Sequence, residues 1–194
     1  MRPLSALDLM SLEQYARERP AFRARLIEYR RSRALQIGEH CSWSFEDGLT
    51  VQYQIQEMLR AERIFEAAGI AEELAVYNPL IPSGSNLKAT LLIEYPDHDE
   101  RVRRLEQLRG FERHCWMRVA DLPPVYAIAD EDLQRESDTK TAAVHFLRFE
   151  FAPPMIAALK TGAALAAGVD HPHYRHSVEP LPQPLRAALL QDFG

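Results

Sequence analysis

The stretch Ala34-Leu35-Gln36-Ile37-Gly38-Glu39-His40-Cys41-Ser42-Trp43-Ser44-Phe45 decides the fold class. Cys41, Trp43 and Phe45 alternate with Ser42 and Ser44, the period of a strand with one buried face. A second short run, Ala34–Ile37, lies only three residues upstream. So short a connection joins two strands as an antiparallel hairpin. Working outward, strands are expected over 87–95, 115–119, 125–129 and 142–151, with a last strand over 164–169. Helices are expected over 11–19 and 20–31, with Pro20 at the first position of the second. Further helices are expected over 50–67 (preceded by Asp47 and closed by Gly69), over 99–109 capped by Asp97, from Pro153-Pro154 to about Gly162, and over 184–191. The strands outnumber the helices that could cross between them. The expected fold is therefore α+β, a largely antiparallel sheet covered by helices. We read 1–194 as a single domain with a helical portion, 1–33, packed on it.

The chain has 194 residues, 46% apolar and 26% charged, with 8 Gly and 13 Pro. This excludes a disordered or fibrous chain. Net charge is -5, so no overall cation excess exists for wrapping nucleic acid, which is not an expected partner. No run of eighteen apolar residues and no secretory leader occurs, so no membrane span is expected and the location is read as cytoplasmic. Two cysteines cannot build a disulfide scaffold. Of 23 basic residues, all but Lys88, Lys140 and Lys160 are arginine. Residues 1–40 hold eight arginines against five acids, +3, leaving -8 for the remainder. A basic helical start of this kind suits an acidic partner or a phosphate, or is a solvated face with local ion pairs.

Polar groups on apolar faces are the candidates for chemistry. In the helix from Thr50, Val51, Ile55, Met58, Leu59 and Phe65 share a stripe, and Glu62 falls near its centre. A carboxylate there is protonated, paired with a cation such as Arg148, or bound to a metal, unless the helix docks so as to leave it wet. Glu57 and Arg60 lie on another side, close enough to pair. His145 shares the apolar face of Ala143, Leu147, Phe149 and Phe151, as a satisfied core histidine or as a ligand or base. Lys88 and Glu94 stand at opposite ends of one face of their strand. Asp170-His171-Pro172-His173-Tyr174-Arg175-His176 concentrates three histidines in a turn, His171 and His176 flanking its tip. No GxSxG, GxGxxG, Walker or HExxH motif is present. Cys41 and Cys115 read as core residues.

Several stretches carry a family resemblance: the 4–33 pattern, Gln54-Ile55-Gln56-Glu57-Met58-Leu59-Arg60-Ala61-Glu62, Asn78-Pro79-Leu80-Ile81-Pro82 followed by 86–94, Ala127-Ile128-Ala129-Asp130-Glu131-Asp132-Leu133, Val144-His145-Phe146-Leu147-Arg148-Phe149, and Gly168-Val169-Asp170-His171-Pro172. Over essentially its whole length the chain resembles an uncharacterised bacterial family, domain of unknown function 3501. The resemblance implies a setting: genes encoded beside rubrerythrin and an iron–sulfur oxidoreductase of heterodisulfide-reductase type, hence peroxide defence or a related redox pathway. It supplies no catalytic residues. Two functions follow as expectations. The first is an accessory or binding protein whose partners are rubrerythrin or the iron–sulfur oxidoreductase. It would act through the arginine-rich helices or the 78–86 loop, with Glu57, Arg60, Lys88 and Arg148 as binding residues. The second is a mononuclear metal enzyme or metal-binding protein. Its shell would be Glu62, His145, His171 and His176, with Glu57 or Glu94 in support, holding iron, manganese or zinc.

Overall fold

The protein is described from a computed structural model covering residues 2–129 and 140–194. Asp130 to Leu133, part of one stretch that carries the resemblance, lie outside the described residues. Among those described, nine strands form two antiparallel sheets. The first has the order β1-β2-β3-β7-β6: Ala34–Ile37, Cys41–Phe45, Asn86–Ile93, Val144–Glu150 and Ile128–Ala129. The second has the order β5-β4-β8-β9: Val125–Tyr126, Cys115–Val119, Leu165–His171 and Tyr174–Val178. The α+β expectation holds, with two sheets where one was read. No described helix is long and apolar enough to cross a membrane.

Alternation builds the core. In β2 the buried set is Cys41, Trp43 and Phe45, and in β7 it is His145, Leu147 and Phe149. These side chains meet Met117, Val119, Leu165, Ala167 and Val169 of the second sheet in one apolar cluster. Two corners join the sheets. β5 pairs with β4 and β6 with β7, so one bent segment serves both sheets. At the other corner Tyr174 Oη donates to the Ile37 carbonyl at 2.6 Å and accepts from the His40 amide at 3.1 Å. Gly38 closes this corner. Its φ is +67°, and a Cβ there would lie 2.5 Å from Tyr174 Oη, so both conformation and space require glycine.

Three helices gather on a second apolar cluster: α1 (Leu12–Arg31), α2 (Gly48–Glu62) and α3 (Ala67–Tyr77). α1 is one helix, not the two expected. Pro20 sits inside it, and both Pro20 and Ala16 are exposed. The hydrogen bond that proline removes therefore lies on the solvent side, where water serves the Ala16 carbonyl. α2 also ends earlier than expected. Arg63 takes the left-handed conformation (φ 55°), and Gly69 lies within α3. The apolar stripe is buried only as far as Leu59, so Glu62 is exposed and Phe65 is 70% exposed. The remaining helices, α4 (His98–Gln107), α5 (Pro153–Lys160) and α6 (Gln183–Leu190), close the ends of the sheets.

One charged knot ties the helices to the sheet. Arg33 is 1% exposed. Its guanidinium donates to the Phe45 and Glu46 carbonyls at 3.1 Å each, to the Ala188 carbonyl at 3.3 Å and to Asp192 Oδ2 at 2.5 Å. Asp47, the N-cap of α2, lies 3.5 Å away and also accepts from the Tyr29 hydroxyl of α1. Glu46 is satisfied separately by Thr50, Gln54 and Thr90. Burial raises the Asp192 carboxyl to about 6 despite Arg33, and its Oδ1 accepts no hydrogen bond. Removing one member of such a pair strands the other charge in the interior. Asp192→Ala is expected to destabilise the protein by about 3 kcal/mol in urea unfolding. Because the folded pKa lies above the unfolded value, Asp192 takes up its proton in the folded state first. Its ionised form costs stability above about pH 6, and that cost is relieved as pH falls towards 4. Replacing Asp192 by Asn is expected to remove this component from the pH dependence of the urea midpoint. An unchanged profile would show that Asp192 titrates normally.

Candidate functional site

The histidines expected to form a metal shell are held apart, each by its own neighbours. His171, at the end of β8, is 4% exposed. Its Nε2 lies 3.1 Å from the Arg109 carbonyl, which can only accept, so Nε2 carries the proton. Nδ1 then accepts the His173 amide at 3.2 Å. Both nitrogens are engaged, and burial holds the ring's pKa below the ordinary value, so this is a neutral histidine with no lone pair to give a metal. His145 is wholly buried between the sheets, its Nε2 2.8 Å from Thr141 Oγ1 and 3.0 Å from the Ala142 carbonyl. His176 is exposed on β9 with its ring beside Tyr174. Glu62 is exposed at the end of α2. Among the described residues no group of three or more His, Cys, Asp and Glu side chains could hold a metal ion. The expected shell is not assembled.

The expected binding residues are also placed. Glu57 accepts from Arg19 Nε and Nη2 at 2.6 and 2.7 Å and from the Tyr15 hydroxyl at 2.7 Å, with Arg60 Nε 3.6 Å away. The bidentate arginine holds its carboxyl down at about 2. This cluster fastens α1 to α2. Lys88 donates to the Pro79 carbonyl at 2.5 Å, tethering the 78–86 loop to β3. Arg148 pairs with Glu150 of its own strand rather than with Glu62, and lies opposite Lys88 in register. Glu94 accepts from Ser42 Oγ at 3.0 Å.

Other groups form the constellations that the sequence left unmarked. His114 Nδ1 meets Asp170 Oδ1 at 2.9 Å, and the Tyr126 hydroxyl donates to Asp170 Oδ2 at 2.7 Å. Burial acts against the Asp170 carboxylate, but these two bonds hold its pKa below the ordinary value. His114 is thus oriented by a carboxylate, its Nε2 hydrogen-bonded to none of the described residues, on an open surface where water is not excluded. Inside the molecule, Glu112 Oε2 is buried, accepts no hydrogen bond, and lies 4.0 Å from His145 Nε2. At the Gly38 corner His40 stacks on Tyr95 with ring centroids 4.0 Å apart, lining a shallow groove with Glu39, Glu94 and Arg101. The signal for Glu112 and His114 was present. Both stand within four residues of Cys115, at the entrance to a buried strand, where charged side chains must find partners.

Cys41 and Cys115 are fully buried in the core between the sheets. Burial pushes the Cys41 thiol up to about 12 and raises that of Cys115 well above its usual range. The thiolate is the reactive form, so both are inert in the folded protein. Ellman's reagent is expected to titrate no thiol in native protein and both after unfolding in guanidinium. A fast native reaction would show that the core opens to solvent.

No curated protein matches the chain. Among solved structures, it is similar to a novel protein of unknown function from Burkholderia pseudomallei K96243, at 48% identity and a TM-score of 0.94 over 100% of each chain. Residues 3–193 match the family described as protein of unknown function DUF3501, and the chain belongs to that family.

Proposed function

We propose that the protein acts by contact, as an accessory or binding protein of a redox-stress system built on rubrerythrin and an iron–sulfur oxidoreductase. One observation carries this reading: of the candidate ligands and nucleophiles, His145, His171 and both thiols are already committed within the fold. His171 has both nitrogens bonded, His145 is enclosed between the sheets, and the two thiols are buried and protonated. The family resemblance supplies the redox setting. The competing reading, a mononuclear metal enzyme, needs Glu62, His145, His171 and His176 to converge, and their placement gives it no support.

The test is retention of purified rubrerythrin and of the iron–sulfur oxidoreductase on the immobilised full-length protein, under reducing and under peroxide-treated conditions. Saturable retention of at least one, in a 1:1 or other fixed ratio, is expected. Failure to retain either under both conditions would overturn the proposal. Metal content gives an independent check on tag-free protein purified without chelator. Stoichiometric iron, manganese or zinc that is lost on His171→Ala would favour the metal reading instead.

A further inference from the structure

We infer that the outward face of α1, carrying exposed Arg23 and Ile27 and half-buried Arg30, is the surface on which an acidic protein partner docks. This rests on the proposal that the chain acts by contact. α1 buries Tyr15, Phe22 and Leu26 and turns its other side outward. Residues 23, 27, 30 and 31 recur at i, i+4, i+7 and i+8, so they form one stripe. Arg23 and Arg30 lie about 10 Å apart along the axis at 1.5 Å per residue. Not every arginine of this helix is available. Arg19 is consumed by Glu57, Arg25 lies over the Phe22 ring, and Arg31 pairs with Glu28. Among the described residues, Arg23 and Arg30 have no ion pair and no side-chain hydrogen bond partner. Between them Ile27 is 47% exposed. Two unneutralised cations around one exposed aliphatic side chain match a partner surface that sets carboxylates around an apolar recess.

The chemistry selects a protein over the other polyanions. A membrane-binding helix needs an apolar face to insert, and the apolar residues Tyr15, Phe22 and Leu26 of α1 are buried, Phe22 edge-on to Tyr53 of α2. A single-strand nucleic-acid surface needs aromatic rings for stacking. The rings of α1 are buried, except that of half-buried Tyr29, which is bonded to Asp47. The charge distribution adds direction. Residues 1–40, which include α1, carry +3 on a chain of net charge -5, so the segment that bears Arg23 and Arg30 is positive against an acidic remainder.

The experiment uses labelled poly-L-glutamate as the acidic probe, titrated against the full-length protein at low and at physiological salt. Saturable binding that weakens with salt is expected. Arg23→Glu with Arg30→Glu is expected to weaken it at least tenfold, and Arg23→Gln with Arg30→Gln to give a smaller loss. Arg103→Glu with Arg175→Glu, exposed arginines elsewhere, is expected to leave it unchanged. Circular dichroism and the urea midpoint verify that each variant folds. Equal loss in both charge-reversed pairs, or tighter binding to duplex DNA or phosphatidylserine vesicles than to poly-L-glutamate, would overturn the assignment. The two proposals fail separately. A redox partner retained equally by the α1 charge reversal and by the wild type sinks the surface but leaves the contact reading. Poly-L-glutamate binding that maps to α1, with neither redox protein retained, sinks the redox partnership and leaves the surface.

Discussion

Arg33 lies where the helical layer, the first sheet and the C-terminal helix come together, and its burial constrains all three. Its guanidinium makes four hydrogen bonds, to backbone carbonyls at the exit of β2 and at α6, and to Asp192. A guanidinium taken out of water is tolerable only when that fork is filled and its charge is matched. Filling it fixes the end of α1, the cap of α2 through Asp47 and Tyr29, and the approach of the C-terminal segment. None of these elements is free to shift without uncovering the charge. The knot therefore specifies an arrangement more than it adds net stability. It also gives the helices of the second apolar cluster a polar link to the first sheet.

Much of the sheet was legible because alternation is a local property. The hairpin from Ala34 to Phe45, the strand from Asn86 and the strand from Cys115 lie where period two placed them. Failures came where a local rule was overruled by what lay outside the segment. Pro20 normally opens a helix, but on the solvent side of α1 its missing bond costs little, so the helix runs through it. The stripe from Val51 continues in the sequence to Phe65, yet nothing packs over it beyond Leu59, and the chain turns at Arg63 instead of Gly69. The histidine-rich stretch was read as a turn. It is the β8–β9 hairpin, whose second strand is exposed on all but its first and last residues.

The candidate site shows the same division. Composition alone correctly marked 170–176 as unusual, and Asp170 does meet an imidazole. That imidazole is His114, 56 residues earlier, brought alongside by the antiparallel pairing of β4 with β8. His171 is turned the other way, into the molecule. A sequence gives the chemistry of a side chain but not its partner, and for histidine the partner decides whether a lone pair exists at all. The expectation of a buried carboxylate was sound in kind and wrong in position. Glu112 and Asp192 fill that role, each with one oxygen that accepts nothing, while Glu62 is wet. Neither true position falls on a clean amphipathic helix, so periodicity could not single them out.

These placements point in one direction. His145, His171 and both thiols lie inside, whereas the surface carries charge and the His114–Asp170 pair. Evolution can keep a buried thiol or histidine for packing, but an exposed aliphatic residue between two unneutralised arginines gains nothing from the fold. Ile27 is 47% exposed, and among the described residues Arg23 and Arg30 complete no ion pair. By contrast, Arg19 one turn before Arg23 is held bidentate by Glu57 and is part of the scaffold. The same helix thus carries arginines of two kinds, one kind spent on holding α1 in place and the other displayed by it. A rigid helix anchored at Glu57 and at the Arg33 knot presents the second kind in a fixed geometry, which lowers the ordering cost of engaging a complementary surface.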